Sequence, residues 1–382
     1  MAKPILTIPA DSKKKKAEQV DDLAGDVLVG LNKKFKDVPS AFTYLSGANL
    51  VKEWVSTGAD MLDLAISNRP NGGYGYGTVV EISGLPGTGK SLLAAHALCE
   101  TQKQGGIAVL YDTENAIGML DFYESVGLDS SQAIYTDKIR ALEDVFLSME
   151  SLIENAVRSN FDRRLTIVVD SVMGATTNAE LSAKYSVEGY ATAKAKILSI
   201  AMRKIPSLIV GRNILIIFVN QLKDNIGAIG FGVDPYKTTG GQAIPFTASV
   251  RLRLKKVGAL KVNGVERGTR ISVQVVKNRL GPPNRKVTLD VYYEFGIDNY
   301  GSWLQFMKDN DIVKTTGSYY VYNDLKFQSK DFKAMLNDNP TFKDELYKTI
   351  CDKYIMKYKS QEFGIDDVEV SSDTDDEESN DD

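Results

Sequence analysis

The stretch TVVEISGLPGTGKS, residues 78–91, decides the fold class of this chain. Its first half is a short, mostly apolar run that is typical of a buried β-strand. Its second half, Gly84–Ser91, matches the glycine-rich pattern of a phosphate-binding P-loop, and the helical stretch LLAAHALCETQKQ follows directly. A strand, a glycine-rich loop and a helix in this order predict an α/β protein that binds a nucleoside triphosphate.

The residue types of this loop suit a triphosphate. Glycines let the backbone wrap a phosphate so that successive N–H groups point inward, and the next helix adds the positive end of its dipole. We expect Lys90 on the β- and γ-phosphates of ATP and the Ser91 hydroxyl on Mg²⁺. The predicted nucleotide-binding residues of the loop are Gly84, Leu85, Pro86, Gly87, Thr88, Gly89, Lys90 and Ser91.

Around the loop, apolar strands alternate with helical stretches, which indicates a largely parallel central sheet. The strand candidates are residues 78–83, 107–112, 165–170 and 214–221. Later candidates alternate more strictly between apolar and polar residues, so we expect them to extend the sheet in antiparallel fashion. These are residues 248–257, 270–278 and 286–293.

The pattern divides the chain into four parts. Residues 1–50 are predicted to be an arm with one helix whose apolar face needs a partner, because KKKK at 13–16 precedes apolar residues at helical spacing (Val20, Leu23, Val27, Leu28 and Leu31). If the chain polymerises, we expect this arm to dock on an adjacent subunit as a polymerisation arm. Residues 51–300 are the predicted ATPase core, and 301–360 a small α/β domain in which SYYVYNDLKF forms a hairpin. Residues 361–382 are a predicted disordered tail.

Charge is unevenly distributed along the chain. The segment from Asp366 to Asp382 holds ten acidic residues and no basic one, whereas the whole chain has 46 basic and 50 acidic residues. Without that segment the body is net basic, which suits a protein that binds a polyanion while its tail competes for the same surface. A tail that only keeps the chain soluble fits the composition equally well.

Composition excludes several other classes. The 382 residues, 43% hydrophobic and 25% charged, indicate a soluble globular protein without a signal peptide or membrane span, and we expect a cytoplasmic location. Cys99 and Cys351 are too few for a metal cluster or a disulfide framework. His96 is the single histidine, so we interpret it as a packed or surface helical residue and expect no histidine-based mechanism.

Hydrolysis of ATP also requires carboxylates beside the phosphates. Asp170 ends the apolar run LTIVVD and is expected to hold Mg²⁺ through water. Asp112 and Glu114 follow another strand, at the edge where open α/β sheets bind ligands. We predict that Asp112 lines the nucleotide site and that Glu114 is the general base. Acids at strand ends also serve as helix caps or solvated loop residues.

The order and spacing of the motifs resemble the RecA/UvsX-type homologous recombinases, which are P-loop ATPases, from about Val55 to Leu346. The motifs are GLPGTGKS, LYDTENAI, TIVVDSV, AMRK (201–204), IIFVNQ, TTGGQAIPFTASVRL, VVKNRLGPP and YYEFGIDNYGSW. The TTGG block is more specific than the P-loop, because other P-loop ATPases lack it. The first 50 residues show no clear match, and the divergence is compatible with a phage-encoded protein in a host cytoplasm.

The resemblance implies that NQLKDNIGAIGFGVDPYKTTGGQA, residues 220–243, is a flexible DNA-binding loop rooted at a glutamine, Gln221, that touches the ATP γ-phosphate. Lysines would serve DNA phosphates, glycines would add backbone contacts and Ile226 could insert between bases. The predicted DNA-binding residues here are Lys223, Ile226, Phe231, Lys237, Thr239, Gly240 and Gly241. A flexible surface loop is the alternative.

Three further sets of residues are implied by the resemblance. In a second DNA-facing loop after Asp170, Tyr190 is the candidate for insertion into DNA, and the basic Lys196 and Arg203 would lie near its phosphates, unless they only decorate a helix surface. Either Phe122 or Tyr123 would stack on the adenine. Lys277 and Arg279 would reach the γ-phosphate held by a neighbouring subunit, and Phe246 would lie at that boundary or pack in the core.

The implied function is a DNA-dependent ATPase that uses ATP and Mg²⁺ to form helical filaments on single-stranded DNA and to exchange that strand with a homologous duplex. Its implied partners are both DNA substrates, further copies of itself, and mediator and single-strand-binding proteins, with no membrane. Two alternatives stay open at this point. One is a hexameric DNA motor or helicase, and the other is a recombinase-like regulator that does not hydrolyse ATP.

Overall fold

The computed structural model of the protein describes residues 24–38, 42–44, 51–114, 120–159, 163–182, 190–225, 236–238 and 240–358. The chain divides into two compact units, residues 1–50 and 51–382. In the described part of the first unit, α1 spans 24–34 and leaves Val27 54% exposed. The Asn32 side chain bonds both backbone groups of Phe42, at 2.9 and 2.8 Å, so the segment folds back on the helix. The predicted helix is confirmed there, while Val20 and Leu23 lie outside the described residues.

The helices of the second unit are α2 (Asp60–Ser67), α3 (Lys90–Lys103), α4 (Leu120–Ser125), α5 (Leu142–Arg158), α6 (Asn178–Ser182), α7 (Tyr190–Ile209), α8 (Ala243–Thr247), α9 (Asn299–Asp309), α10 (Ser329–Asp338) and α11 (Pro340–Tyr354). The strands are β1 (Trp54–Val55), β2 (Tyr74–Gly75), β3 (Val79–Gly84), β4 (Ile107–Asp112), β5 (Ile134–Thr136), β6 (Leu165–Asp170), β7 (Ile214–Asp224), β8 (Tyr236–Thr238), β9 (Val250–Val262), β10 (Val265–Asn278), β11 (Lys286–Tyr292), β12 (Gly296–Ile297), β13 (Lys314–Thr316), β14 (Tyr319–Tyr322) and β15 (Leu325–Gln328).

The central sheet has the strand order β12-β11-β10-β9-β3-β7-β6-β4-β5. From β3 to β5 all neighbours are parallel, as the apolar runs predict. The expectation for the later strands is correct for β10 and β11 but wrong for β9, which pairs parallel to β3. The connection from β7 to β9 is long enough to carry the chain back to the end of the sheet where β7 begins, so β9 can run parallel to β3. The tight turn at Asn263 and Gly264 joins β9 directly to β10, so β10 must run antiparallel to β9.

Helices cover both faces of the sheet, and β7 shows why its sequence is a continuous apolar run. Leu215 and Ile217 face one hydrophobic cluster, which includes α2 and α3. Ile216 and Phe218 face the other cluster, which includes α5 and α7. Because successive side chains of a strand point to opposite faces, a strand covered on both sides needs apolar residues at every position.

The region after the sheet packs against the first of these clusters. Asp60 on α2 accepts hydrogen bonds from Trp303 Nε1 at 2.9 Å and from Asn299 Nδ2 at 2.7 Å, and these bonds join α2 to α9. Leu346 and Trp303 belong to the same cluster as Val80 and Ile82 of β3. The hairpin predicted in SYYVYNDLKF is confirmed as β14 and β15, with Asn323 in the left-handed conformation between them.

No helix among the described residues combines the length and the apolarity that a membrane span requires. Cys99 and Cys351 are free and buried. His96 lies buried on α3 against the backbone of Gly58 and Gly296, so its interpretation as a packed helical residue is confirmed.

Burial of His96 makes the free energy of unfolding depend on pH. Desolvation, with a smaller contribution from the charge of Lys103, lowers the pKa of His96 from 6.5 to about 4. The unfolded chain therefore binds this proton first, and the stabilisation is complete above pH 6.5 and is lost as the pH falls towards 4. When the pH is lowered from 7 to 4.5, we expect the free energy of unfolding to fall by about 2 kcal/mol less in His96→Leu than in the wild type, as measured by urea unfolding.

Leu98→Val, at a buried position on the same helix, is the matched control, since it should lower stability equally at both pH values. An identical pH dependence in the wild type and His96→Leu would contradict the assignment.

Candidate nucleotide-binding site

The P-loop is a tight turn between β3 and α3. Gly87 and Gly89 have φ values of 71° and 84°, which favour glycine over any residue with a Cβ. A Cβ on Gly84 would lie 2.5 Å from Thr88 Oγ1 and 2.8 Å from the carbonyl oxygen of Leu254. The loop therefore depends on its glycines in order to fold, in addition to any ligand they admit.

Lys90 lies across this loop. Its Nζ donates to the carbonyl oxygen of Leu85 at 2.8 Å, and the side chain is buried. Burial lowers its pKa, while the negative charges of Asp170 and Glu114 act in the opposite direction. An ammonium group that is short of anionic partners and lies beside a glycine-rich loop fits a ligand with several negatively charged oxygens.

Two carboxylates end adjacent parallel strands. Asp112 on β4 and Asp170 on β6 are direct partners in the strand register, and both are buried. Burial raises the pKa of Asp170 to about 6, the Ser91 hydroxyl opposes this by donating to the carboxylate, and the charges of Glu114 and Asp112 reinforce it. The site thus concentrates negative charge that a cation would relieve.

The fit of this site to Mg²⁺ follows from its donors. Among the described residues, no group of three or more histidine, cysteine or acidic side chains is arranged to hold a metal ion. Ser91 and Asp170 do hydrogen-bond to each other, and both offer oxygen ligands. Because Mg²⁺ is commonly bound by one or two protein groups together with substrate phosphates, these two residues suit a magnesium ion that arrives with ATP.

Glu114 lies where three strand ends meet. Its Oε1 accepts a hydrogen bond from Gln221 Nε2 at 2.9 Å, and another from the Ser171 hydroxyl. A Cβ on Gly174 would lie only 2.6 Å from Glu114 Cγ, so the turn after β6 presses against this side chain. The peptide bond between Asp170 and Ser171 is cis. The structure thus brings together Glu114 and Gln221, which lie more than a hundred residues apart in the sequence.

Two residues of this site were not predicted from the sequence. Ser171 contacts Glu114, and Tyr135, the middle residue of β5, donates its hydroxyl to Asp112 Oδ2 at 3.1 Å. Burial and the hydrogen bond to Asp112 raise the pKa of Tyr135 to about 12. A serine directly after the predicted strand-end aspartate was a usable signal, whereas nothing in the sequence pairs Tyr135 with Asp112.

The two candidate adenine-stacking residues differ in accessibility. Both lie on α4, with ring centroids 5.2 Å apart in an edge-to-face arrangement. Tyr123 is buried in the core, and burial and the nearby carboxylates Asp170 and Asp112 raise its pKa. Phe122 is only partly buried, so it presents more ring surface to a ligand.

Lys277 and Arg279 converge on the end of α8. Lys277 Nζ donates to the carbonyl oxygens of Pro245 and Phe246 at 2.8 and 2.7 Å, and Arg279 Nη2 donates to that of Phe246 at 3.1 Å. Burial, followed by the charges of Arg279 and Arg251, lowers the pKa of Lys277 to about 8. The Phe246 side chain is 72% exposed, so the alternative that it packs in the core is wrong.

The predicted DNA loop is more ordered at its ends than expected. β7 continues to Asp224 and pairs with β8, so Lys223 and Lys237 lie directly opposite each other and both are exposed. The strand prediction for 214–221 is confirmed, and the expectation of a flexible segment after it is wrong for 222–224 and 236–238, because backbone pairing extends beyond the core. Two opposed like charges disfavour the hairpin unless an anion lies beside it.

The remaining predicted DNA contacts fall into two groups. Ile226, Phe231 and Thr239 lie outside the described residues, as does the side chain of Tyr190. Those that are described are Lys196, exposed on α7; Arg203, whose Nε bonds the Ser199 carbonyl at 3.1 Å; and Gly240 and Gly241, with φ values of 91° and 73°.

Comparisons with known proteins agree with this geometry. The chain matches the RecA N-terminal domain family over residues 28–298. The match begins within α1, so the similarity reaches into the first 50 residues, where the motifs had indicated none.

Individual relatives give the same result. Protein RecA of Campylobacter jejuni subsp. jejuni (strain 81-176) is 33% identical over 298 residues, covering 78% of this chain and 83% of that protein. Protein RecA of Clostridioides difficile (strain 630) is 33% identical over 312 residues, covering 81% and 86%. Protein RecA of Ehrlichia ruminantium (strain Gardel) is 32% identical over 324 residues, covering 83% and 87%.

The bond from Ser171 to Glu114 can be tested directly. We expect Ser171→Ala to lower kcat for ATP hydrolysis about tenfold, because a hydrogen bond to a charged group contributes about 1.5–3 kcal/mol. The affinity for ATP, measured by calorimetry, should change less than about twofold, since Ser171 does not belong to the phosphate loop.

Ser148→Ala is the matched control, because Ser148 on α5 bonds Tyr111 and not the carboxylates. A kcat that stays at the wild-type value in Ser171→Ala would show that this bond does not orient Glu114.

Proposed function

The chain belongs to the RecA family of recombination and repair proteins, and we propose that it is a DNA-dependent ATPase that polymerises on single-stranded DNA and exchanges that strand with a homologous duplex. The observation that carries the proposal is the 2.9 Å bond from Gln221 Nε2 to Glu114 Oε1. It connects the carboxylate beside the P-loop to the strand that continues into the Lys223–Lys237 hairpin.

This connection gives ATP a physical route to the DNA-facing segment. Gln221 lies where β7 leaves the core, and Lys223 follows two residues later on the exposed part of the strand. A γ-phosphate that attracts the Gln221 amide would weaken its bond to Glu114 and shift the hairpin. A ligand that interacts differently with two such arrangements changes their populations, so ATP would favour the DNA-binding arrangement and its hydrolysis would release it.

The residues of the site have separate roles in hydrolysis. Lys90 and the loop N–H groups bind the phosphates, while Ser91 and Asp170 would hold Mg²⁺. When bound, that ion neutralises charge on the phosphate oxygens. Glu114 takes a proton from the attacking water, and we assign Oε2 to this task because Oε1 already accepts the bonds from Ser171 and Gln221. Asp112 and one of the two α4 aromatics, Phe122 or Tyr123, complete the nucleotide pocket.

DNA contacts are proposed for two surfaces. On the first, Lys223 and Lys237 bind phosphates, with Gly240, Gly241, Ile226, Phe231 and Thr239 from the same segment. On the second, Lys196 and Arg203 contact phosphates and Tyr190 inserts between bases. Such contacts to phosphates and to ring faces are independent of DNA sequence, as a protein that must accept any homologous strand requires.

The exposed Phe246 and the two cations behind it support a site shared between subunits. Lys277 and Arg279 bond carbonyl oxygens of α8 within their own chain, and the aromatic ring beside them projects from the surface. In a filament, a neighbouring subunit that covers this ring would bring its bound γ-phosphate to the two cations. Hydrolysis would then depend on assembly.

The central test is ATP hydrolysis with and without single-stranded DNA. We expect DNA to raise the turnover of the wild type, and Glu114→Gln to lower the DNA-stimulated turnover by at least about 100-fold, the usual contribution of a general base. ATP binding should persist in this variant, because the amide is nearly isosteric with the carboxylate.

Glu154→Gln, at an exposed position on α5, is the control for an unrelated loss of charge. Turnover that does not respond to DNA would overturn the proposed function and favour the motor or regulator alternatives.

The shared site predicts a specific result from subunit mixing. Lys90→Ala should not hydrolyse ATP because it cannot bind the phosphates, and Arg279→Ala should not because it cannot act on its neighbour. In an equimolar mixture, about one quarter of the head-to-tail boundaries would combine an intact nucleotide site with an intact arginine. We therefore expect turnover of about one quarter of the wild-type value in the mixture.

Each variant alone, at the same total concentration, is the control. A mixture no more active than the two variants measured separately would contradict a site shared between subunits.

A further inference from the structure

Two of the three lysines on α7, Lys194 and Lys196, lie in different environments although they are only two positions apart. Lys196 is exposed, as a contact to DNA phosphates requires. Lys194 is partly buried, and its Nζ donates to the carbonyl oxygen of Met173 at 3.2 Å and also to that of Ala175. Lys194 thus forms two hydrogen bonds to the backbone of its own chain.

The two carbonyls belong to residues 171–175, the turn that follows β6 and that we call the sensor turn. The other side of the sensor turn contacts the proposed base. Ser171 donates to Glu114 and accepts a bond from the Gly174 N–H at 3.2 Å, and Gly174 lies against the Glu114 side chain. Lys194 therefore fixes the outer side of a turn whose inner side fixes Glu114.

The same face of α7 also contacts the end of the predicted DNA loop. Leu198 lies one helical turn after Lys194, and a Cβ on Gly240 would overlap its Cδ1 atom and lie 3.9 Å from Val172 in the sensor turn. A Cβ on Gly241 would lie 3.8 Å from Ala195 Cβ. α7 is thus packed between the sensor turn and the backbone at Gly240 and Gly241.

The charge of Lys194 makes this arrangement sensitive to movement. Burial lowers the pKa of Lys194, the charge of Glu180 opposes that effect and the charge of Lys223 adds to it. A partly buried ammonium group is costly unless its N–H groups are satisfied, so a shift of α7 either moves the sensor turn with it or breaks both bonds.

We infer that Lys194 is a positioning residue that transmits a shift of α7 on DNA binding to the sensor turn and hence to Glu114. This inference rests on the proposed function, since it takes DNA to act on α7 through Lys196 and Arg203. Lys194 itself touches neither DNA nor nucleotide. Its role is to set how strongly DNA accelerates hydrolysis.

The test compares Lys194→Met with the wild type, using a single-stranded oligothymidylate as the DNA. Methionine approximates the length of the side chain and removes its donors and charge. We expect the DNA-saturated kcat to fall about tenfold, which is a typical coupling between two sites. The kcat without DNA, the KM for ATP and the half-saturating DNA concentration should stay within about twofold of the wild type.

Two further variants separate positioning from a general effect on the fold. Lys204→Met removes an exposed lysine from the same helix and should behave like the wild type. Lys194→Arg keeps the charge and the donors and should restore part of the DNA stimulation. If Lys194→Met is unstable by thermal melting, Lys194→Leu, which also removes the donors and the charge, provides the same comparison.

The outcomes are distinguishable. If the wild type responds to DNA and Lys194→Met responds equally, this inference alone is overturned. If Lys194→Met lowers kcat by the same factor with and without DNA, Lys194 only stabilises the fold, and this inference is also overturned. A wild type that does not respond to DNA would overturn the proposed function and this inference together.

Discussion

The structure depends on one carboxylate that accepts hydrogen bonds from the ends of two other strands. Glu114 follows β4, Ser171 follows β6 and Gln221 lies in β7, and the bonds from these two side chains to Glu114 Oε1 fix the three strand ends relative to one another. Parallel strands bring their carboxyl ends to one edge of a sheet, so residues far apart in sequence can share a single acceptor. Any ligand that competes for the Gln221 amide therefore acts on Glu114 and on the end of β7 at once.

A second interaction, centred on the buried Glu81, supports this edge from within the sheet. Glu81 on β3 accepts a hydrogen bond from Asn220 Nδ2 at 3.0 Å and from Arg251 Nε at 2.6 Å. These bonds join β3, β7 and β9 directly below the P-loop and next to Gln221. A charged pair with one buried partner contributes little net stability compared with apolar packing, but it disfavours any arrangement that leaves the buried Glu81 carboxylate without a partner. It therefore restricts how these three strands can align.

Next to these strands, the nucleotide-binding site contains buried charged groups that a ligand of opposite charge would stabilise. Burial disfavours the charged forms of both Lys90 and Asp170, as the directions of their pKa shifts show. Phosphate oxygens would stabilise the charged ammonium of Lys90, and a divalent cation would stabilise the carboxylates. A nucleotide and a metal ion would therefore offset the burial of opposite charges in one pocket. At the surface, Lys223 faces Lys237 and Phe246 is exposed, and under the proposed function DNA phosphates and a further subunit would contact these two features.

The sequence alone determined the fold class, the P-loop and most of the sheet, because apolar runs and glycine spacing are local properties. It also predicted roles for Asp170 and Glu114 from their places at and just after strand ends, whereas the role predicted for Gln221 came from the family resemblance. Only the tertiary structure decided that β9 runs parallel to β3, that β7 extends into a hairpin with β8, and that Ser171 and Gln221 share Glu114 as an acceptor. The two hydrogen bonds that Lys194 donates to backbone carbonyls are of the same kind. Strand direction depends on the path of the connecting chain, and a hydrogen bond depends on which side chains the finished fold brings within about 3 Å, so neither is written in a local pattern of residues.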